Sequence, residues 1–127
     1  MGTKAMVSTD ISKGSEILQA LEQAKVKVNV VLWAFLSEYE DWRLIISSRQ
    51  LDSSDPRDAY GLLHDSLDAA GFGAKQLPPI LILPTYDPFI KALRRVFSKA
   101  KSVEGMRLGG QMFGDRFIED GYVYKIS

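Results

Sequence analysis

The stretch VNVVLWAFLSEYEDWRLIISS, residues 28–48, decides the fold. Two runs rich in Val, Leu, Ile, Trp and Phe flank the polar, acidic segment Ser37–Asp41, the composition of two strands around a loop. With Ser37–Asp41 as the loop, Leu36 pairs with Trp42, Ala34 with Leu44, Leu32 with Ile46 and Val30 with Ser48. The other face then pairs Phe35 with Arg43, Trp33 with Ile45, Val31 with Ser47 and Asn29 with Arg49. Side chains alternate along a strand, so a slip of one residue would mix Arg43 and Ser47 into the apolar set; the alternation predicts the first register.

Helices are signalled on both sides of this hairpin. Ile17, Leu18, Leu21, Ala24 and Val28 recur at helical spacing and predict a helix over 15–25. Asp55-Pro56 supplies a cap and a first-turn proline for a second helix over 56–70, with Tyr60, Leu63, Leu67 and Ala70 inward and Gly71 as its stop. Ile80–Leu83, an apolar run between Pro79 and Pro84, reads as a strand buried on both faces. Asp87-Pro88 repeats the cap and opens a third helix over 88–101, with Phe89, Ile90, Leu93, Val96, Phe97 and Ala100 on its apolar face. Asp120-Gly121 is a favoured two-residue turn, predicting a closing hairpin within residues 115–126.

The element order is α-β-β-α-β-α-β with a further terminal strand. It predicts a single α+β domain over 14–127: a mixed sheet of about five strands with three helices, mainly in two layers. A three-layer sandwich, with a helix over Trp33 and Phe35, is the alternative. Residues 1–13 lack periodicity and read as a flexible N-terminal tail, part of it a cloning remnant.

Composition narrows the chemistry. The chain of 127 residues has no cysteine, which excludes thiolate metal sites, redox pairs and a cysteine nucleophile. Val30–Leu36, the longest apolar run, is far short of the ~20 residues of a membrane span, and a cytoplasmic protein without membrane contact is expected. Net charge is zero, yet residues 36–72 hold eight acids against three bases and residues 73–117 hold eight bases against three acids. Such asymmetry either steers a charged partner or marks two oppositely charged helices lying side by side.

Catalytic signatures are missing. His64 is the only histidine, and its helical setting offers no partnered nucleophile. Glu38, Glu40 and Asp41 form an acidic loop, and Asp52, Asp55 and Asp58 surround a helix start; both clusters read as structural rather than metal-binding. The glycines of Gly71-Phe72-Gly73 follow a helix instead of preceding one, which is the wrong order for a phosphate cradle. No catalytic residue, cofactor or metal is assigned.

Two surfaces remain as candidates. Val31, Trp33, Phe35 and Ile45, edged by Arg43, Arg49 and Asn29, have the make-up of an interface with an apolar centre and a polar rim. The leading expectation is therefore a noncatalytic binding or regulatory domain that associates through this face as a homodimer or with another protein. The opposing reading is that a helix or the terminal hairpin covers the face. Lys91, Arg94, Arg95 and Lys99 fall on one stripe of the third helix, with Arg107 and Arg116 as neighbours, and support the competing class, a nucleic-acid-binding or processing protein that uses Asp41 or Asp52 for any cleavage. A small-ligand pocket lined by Tyr86, Tyr122 and Tyr124 is the third class.

Overall fold

The protein is described by a computed structural model over residues 8–52, 55–73 and 77–127, with the side chains of residues 8 and 9 outside the description. Its helices are α1 (Ser8–Gln23), α2 (Pro56–Ala69) and α3 (Pro88–Val96); its strands are β1 (Val30–Leu36), β2 (Asp41–Ser47), β3 (Ile80–Ile82), β4 (Arg107–Leu108), β5 (Gln111–Phe113) and β6 (Arg116–Ile126). The mixed sheet runs β3-β2-β1-β6-β4, with β5 also paired to β6; only β2 and β3 are parallel. The α+β domain is as expected, with six strands instead of about five. Among the described residues no helix is long and apolar enough to cross a membrane.

The hairpin register differs by one residue from the predicted one. Leu36 pairs with Asp41, Phe35 with Trp42, Trp33 with Leu44, Leu32 with Ile45 and Val31 with Ile46. The cause lies in the loop, which holds four residues rather than five. The Leu36 carbonyl accepts from the amides of both Tyr39 (3.1 Å) and Glu40 (2.9 Å), and Glu40 adopts φ +50° to turn the chain back. Asp41 is thereby left to open β2, where its side chain accepts from the Trp42 amide at 2.8 Å.

The two faces of the hairpin are therefore composed differently. Val31, Trp33, Phe35, Trp42, Leu44 and Ile46 form one face, covered by Ile17, Ala20 and Leu21 of α1 and by Ala59, Leu63 and Leu67 of α2. Val30, Leu32, Ala34, Leu36 and Ile45 form the other, covered by Phe89, Ile90, Ala92 and Leu93 of α3 together with Phe113 and Leu108. The helices thus divide between both faces and make three layers where mainly two were expected. The reason is that β1 is apolar at every position, so both of its sides must be kept from water.

The same covering removes the proposed interface. Trp33 is 3% exposed and its Nε1 donates to the Asp10 carbonyl of α1 at 3.1 Å; Phe35 is 8% exposed and stacks edge-on with Trp42. Val31 and Ile45 are fully buried, on opposite faces. Arg43 is half-buried and lies over the Tyr39 ring at 4.7 Å. The five residues do not share a free surface, because they belong to two separate cores.

Boundaries shift at both ends. Helix α1 begins at Ser8, so the expected tail of residues 1–13 overlaps it; residues 1–7 lie outside the described residues. Gly14, expected ahead of the helix, sits within it because a Cβ there would lie 2.6 Å from Tyr124 Cζ. The Tyr124 ring takes that space and its hydroxyl donates to the Ile11 carbonyl at 2.6 Å. Helix α3 stops at Val96, with Phe97 as its cap, short of the expected residue 101.

The closing hairpin turns at Gly114-Asp115 rather than at Asp120-Gly121. Gly114 adopts φ +61° and abuts α3, where a Cβ would meet the Pro88 carbonyl carbon at 2.6 Å. Asp120 and Gly121 instead continue β6 and pair with Phe35 and Ala34 of β1. Tertiary pairing with the central strand overrides the local turn preference.

Two measurements check this arrangement. Trp33→Glu is expected to unfold the chain instead of releasing a folded monomer, and Leu44→Ala beside it to cost about 2–5 kcal/mol in chemical denaturation. Burial pushes the Tyr124 phenol up to about 12 from its ordinary 10.0. A raised acid pKa stabilises the fold below the unfolded value, so stability from this group is present up to about pH 10 and is lost between about pH 10 and 12. Ultraviolet titration should show Tyr124 ionising late, and Tyr124→Phe should abolish that step.

Candidate anion-binding surface

Basic residues distant in the sequence converge at the end of the sheet where β1 starts and β2 and β6 finish. Helix α1 ends in a reversal: the Lys25 amide donates to the Glu22 carbonyl at 3.0 Å and the Val26 amide to the Leu21 carbonyl at 2.9 Å. This closure demands a left-handed residue, and Lys25 fills that place at φ 63°. Val26 then turns into the core, while Lys25 and Lys27 stay exposed.

The turn Arg49–Leu51 after β2 locks this loop from the other side. Gln50 accepts from the Lys27 amide through Oε1 at 2.6 Å and donates from Nε2 to the Lys25 carbonyl at 3.4 Å. Ser48 caps the turn by accepting from the Gln50 amide at 3.2 Å and donates its hydroxyl to the Lys27 carbonyl. Asn29 accepts from the Arg49 amide at 3.3 Å, and its carbonyl accepts from the Ser127 amide at 2.8 Å. The backbones that carry Lys25, Lys27 and Arg49 are thereby held together.

An open groove of about 640 Å³ lies over this junction, lined by Lys25, Lys27, Asn29, Arg49, Gln50 and Arg94. Two further grooves adjoin it. One, of about 600 Å³, shares Lys25, Lys27 and Asn29 and adds Glu22 and Lys125; the other, of about 540 Å³, shares Arg94 and adds Arg95, Phe97 and Ser98. The first groove has no carboxylate in its lining. Among the described residues, ion pairs join Arg57 to Asp55, Arg107 to Asp120, Arg116 to Glu38 and Lys125 to Glu22, and none involves Lys25, Lys27, Arg49, Arg94 or Arg95.

The opposite end of the sheet carries Glu38, Glu40, Asp87 and Asp115 around Arg116. Burial pulls the Arg116 guanidinium pKa down, but the charges of Glu38 and Asp87 and hydrogen bonding with Tyr39 and Glu38 outweigh it, so the value is raised. The acidic α2 and the basic α3 lie on opposite faces of the sheet, so the reading of two helices neutralising each other side by side does not apply.

No family model matches the chain, and no curated protein or solved structure is significantly similar to it.

The sequence-predicted site residues divide. Arg94 and Arg95 line the grooves; Lys91 is exposed but outside their linings, and Lys99 lies past the end of α3. Arg107 and Arg116 are held by Asp120 and Glu38 and do not join the groups at the basic end. Asp52 clamps the β3–α3 connection by accepting from the Thr85 amide at 2.8 Å and from its hydroxyl, while Asp55 caps α2. Among the described residues no three His, Asp or Glu side chains gather in a metal-holding group. Tyr122 and Tyr124 stack edge-on under α1, whereas Tyr86 stands 63% exposed ahead of α3. His64 is exposed on α2.

Lys25, Lys27 and Lys125 escaped the reading of the sequence because no local pattern groups them, and Arg49, read there as the rim of an apolar interface, instead lines the basic groove. Gln50→Ala should weaken the hold on the Lys25–Lys27 loop by about 1 kcal/mol, seen as roughly fivefold faster amide exchange at Lys27 with the melting temperature nearly unchanged.

Proposed function

We propose that the protein is a noncatalytic binding domain whose ligand is an extended polyanion, held on the basic end of the sheet. The observation that carries this reading is the convergence of Lys25, Lys27, Arg49, Arg94 and Arg95, none ion-paired among the described residues, in a chain whose net charge is zero. Like charges brought together repel, and a fold with this many acids could have interleaved them. The three adjoining grooves are open to solvent, unlike the enclosed pockets that take small molecules. They suit a polymer with repeated charges.

Lys25 adds a second line of support. A left-handed position costs a side chain about 1–2 kcal/mol, and glycine is the usual occupant after a helix. Keeping a lysine there costs stability and adds a cation to the groove. The association reading, by contrast, has lost its surface to α1 and α2.

Salt-gradient elution from a heparin column tests the proposal. The wild type should be retained well above physiological ionic strength, and Lys27→Glu with Arg49→Glu should elute near the void. Arg57→Gln, which removes a 91% exposed arginine from α2, should elute with the wild type. Lys25→Gly should melt higher and bind more weakly. Retention that is unchanged in the Lys27→Glu, Arg49→Glu protein would refute the assignment.

A further inference from the structure

We infer that the polyanion is a linear polyphosphate, a chain of phosphates without bases, sugars or peptide links; this rests on the polyanion reading above. Both side-chain acceptors in the groove lined by Lys25, Lys27, Asn29, Arg49, Gln50 and Arg94 are already engaged. The Arg49 amide donates to Asn29 at 3.3 Å and the Lys27 amide to Gln50 at 2.6 Å, and these donors fix which atom of each side-chain amide is the oxygen. Backbone carbonyls of the lining are taken too. That of Lys25 accepts from Gln50 Nε2, that of Lys27 from the Ser48 hydroxyl, that of Asn29 from the Ser127 amide and that of Arg49 from the Asp52 amide. Donors remain open: the ammonium groups of Lys25 and Lys27, the guanidinium groups of Arg49 and Arg94, and Asn29 Nδ2, none with a partner among the described residues.

A lining of donors suits a polymer made of acceptors alone. The oxygens of an ionised phosphate chain accept and do not donate, and both the arginine fork and the lysine point charge match them. A polypeptide brings an N–H at nearly every link, a polysaccharide brings hydroxyls and a nucleic acid brings base amino groups. None of these finds an open acceptor among the side chains here, so each must turn to solvent.

The same groove lacks what nucleic acids use. Single strands gain affinity by stacking bases on aromatic rings, and no aromatic side chain lines the central groove. Phe97, in the adjoining groove, is half-buried against Phe113 with ring centres 6.2 Å apart. A duplex is stiff and stays straight over the width of a small domain. It meets the exposed Lys25, Lys27 and Arg49, whereas Asn29 and Arg94 are half-buried and sit deeper. A single file of phosphates is thin enough to reach both tiers.

Calorimetric titration of the full chain decides it, with long-chain sodium polyphosphate, poly-L-glutamate, single-stranded DNA and duplex DNA as separate probes at one ionic strength. Polyphosphate should bind at least tenfold tighter, per charge, than each of the other three. Asn29→Asp keeps the oxygen that accepts from the Arg49 amide and exchanges the open donor for an acceptor. It should weaken polyphosphate binding at least tenfold, while amide exchange at Arg49 is no faster than in the wild type. Arg94→Gln, a change on the surface of α3 that serves should Asn29→Asp fail to fold, should weaken polyphosphate about five- to tenfold and duplex DNA less than about twofold. A preference below tenfold over any of the other polymers, or unchanged polyphosphate binding in either folded variant, would overturn the inference while leaving polyanion binding in place. Failure of all four polymers together with loss of retention on heparin would remove the underlying reading as well.

Discussion

The structure depends on the Leu36 carbonyl, which accepts the amides of Tyr39 and Glu40 and so closes the first loop after four residues. That closure sets which residues of β1 and β2 stand opposite each other, and alternation carries the choice along seven residues of each strand. Trp33, Phe35, Trp42 and Leu44 are thereby gathered under α1 and α2. Leu32, Ala34 and Ile45 are gathered under α3. With β6 on its other edge, β1 has no side left for water, and every other element is placed relative to it.

Burial of β1 on both faces also governs the electrostatics. Because both faces need cover, the acidic α2 and the basic α3 are kept apart by the sheet, and their charges cannot cancel in direct contact. The charge asymmetry along the chain becomes an asymmetry in space. Arg94 and Arg95, near the end of α3, then reach the loops that leave α1 and β2. Three chain segments with no kinship in sequence supply one cationic surface.

That surface is stiffened by neutral groups. Gln50 and Ser48 satisfy the backbone of the loop between α1 and β1, which would otherwise carry open amides and carbonyls, and Asn29 of that loop accepts from the Arg49 amide in return. A cation whose backbone is already ordered loses less entropy when it meets an anion. The left-handed Lys25 fits the same logic, since strained positions persist where the surroundings over-determine them.

Elements with strong local signals were legible in the sequence. The Asp-Pro caps at Asp55 and Asp87 place the starts of α2 and α3 at Pro56 and Pro88, because a cap is a contact between near neighbours. The two strands around Ser37 and the mixed α+β character were equally plain. Register was not, since two pairings one residue apart each yield an apolar face: Leu32, Ala34, Leu44 and Ile46 in one, Trp33, Phe35, Leu44 and Ile46 in the other. Only the hydrogen bonds of the loop separate them. The Asp120-Gly121 turn yielded to pairing with β1, and half of the basic stripe survived while Lys25, Lys27 and Arg49 joined it from elsewhere. Sequence by itself determined that the chain holds three helices and the strands β1, β2 and β3, because these follow from periodicity, apolar runs and caps within a few residues. Tertiary structure alone decided which faces are covered and which charges meet, because both follow from contacts between residues far apart in the chain.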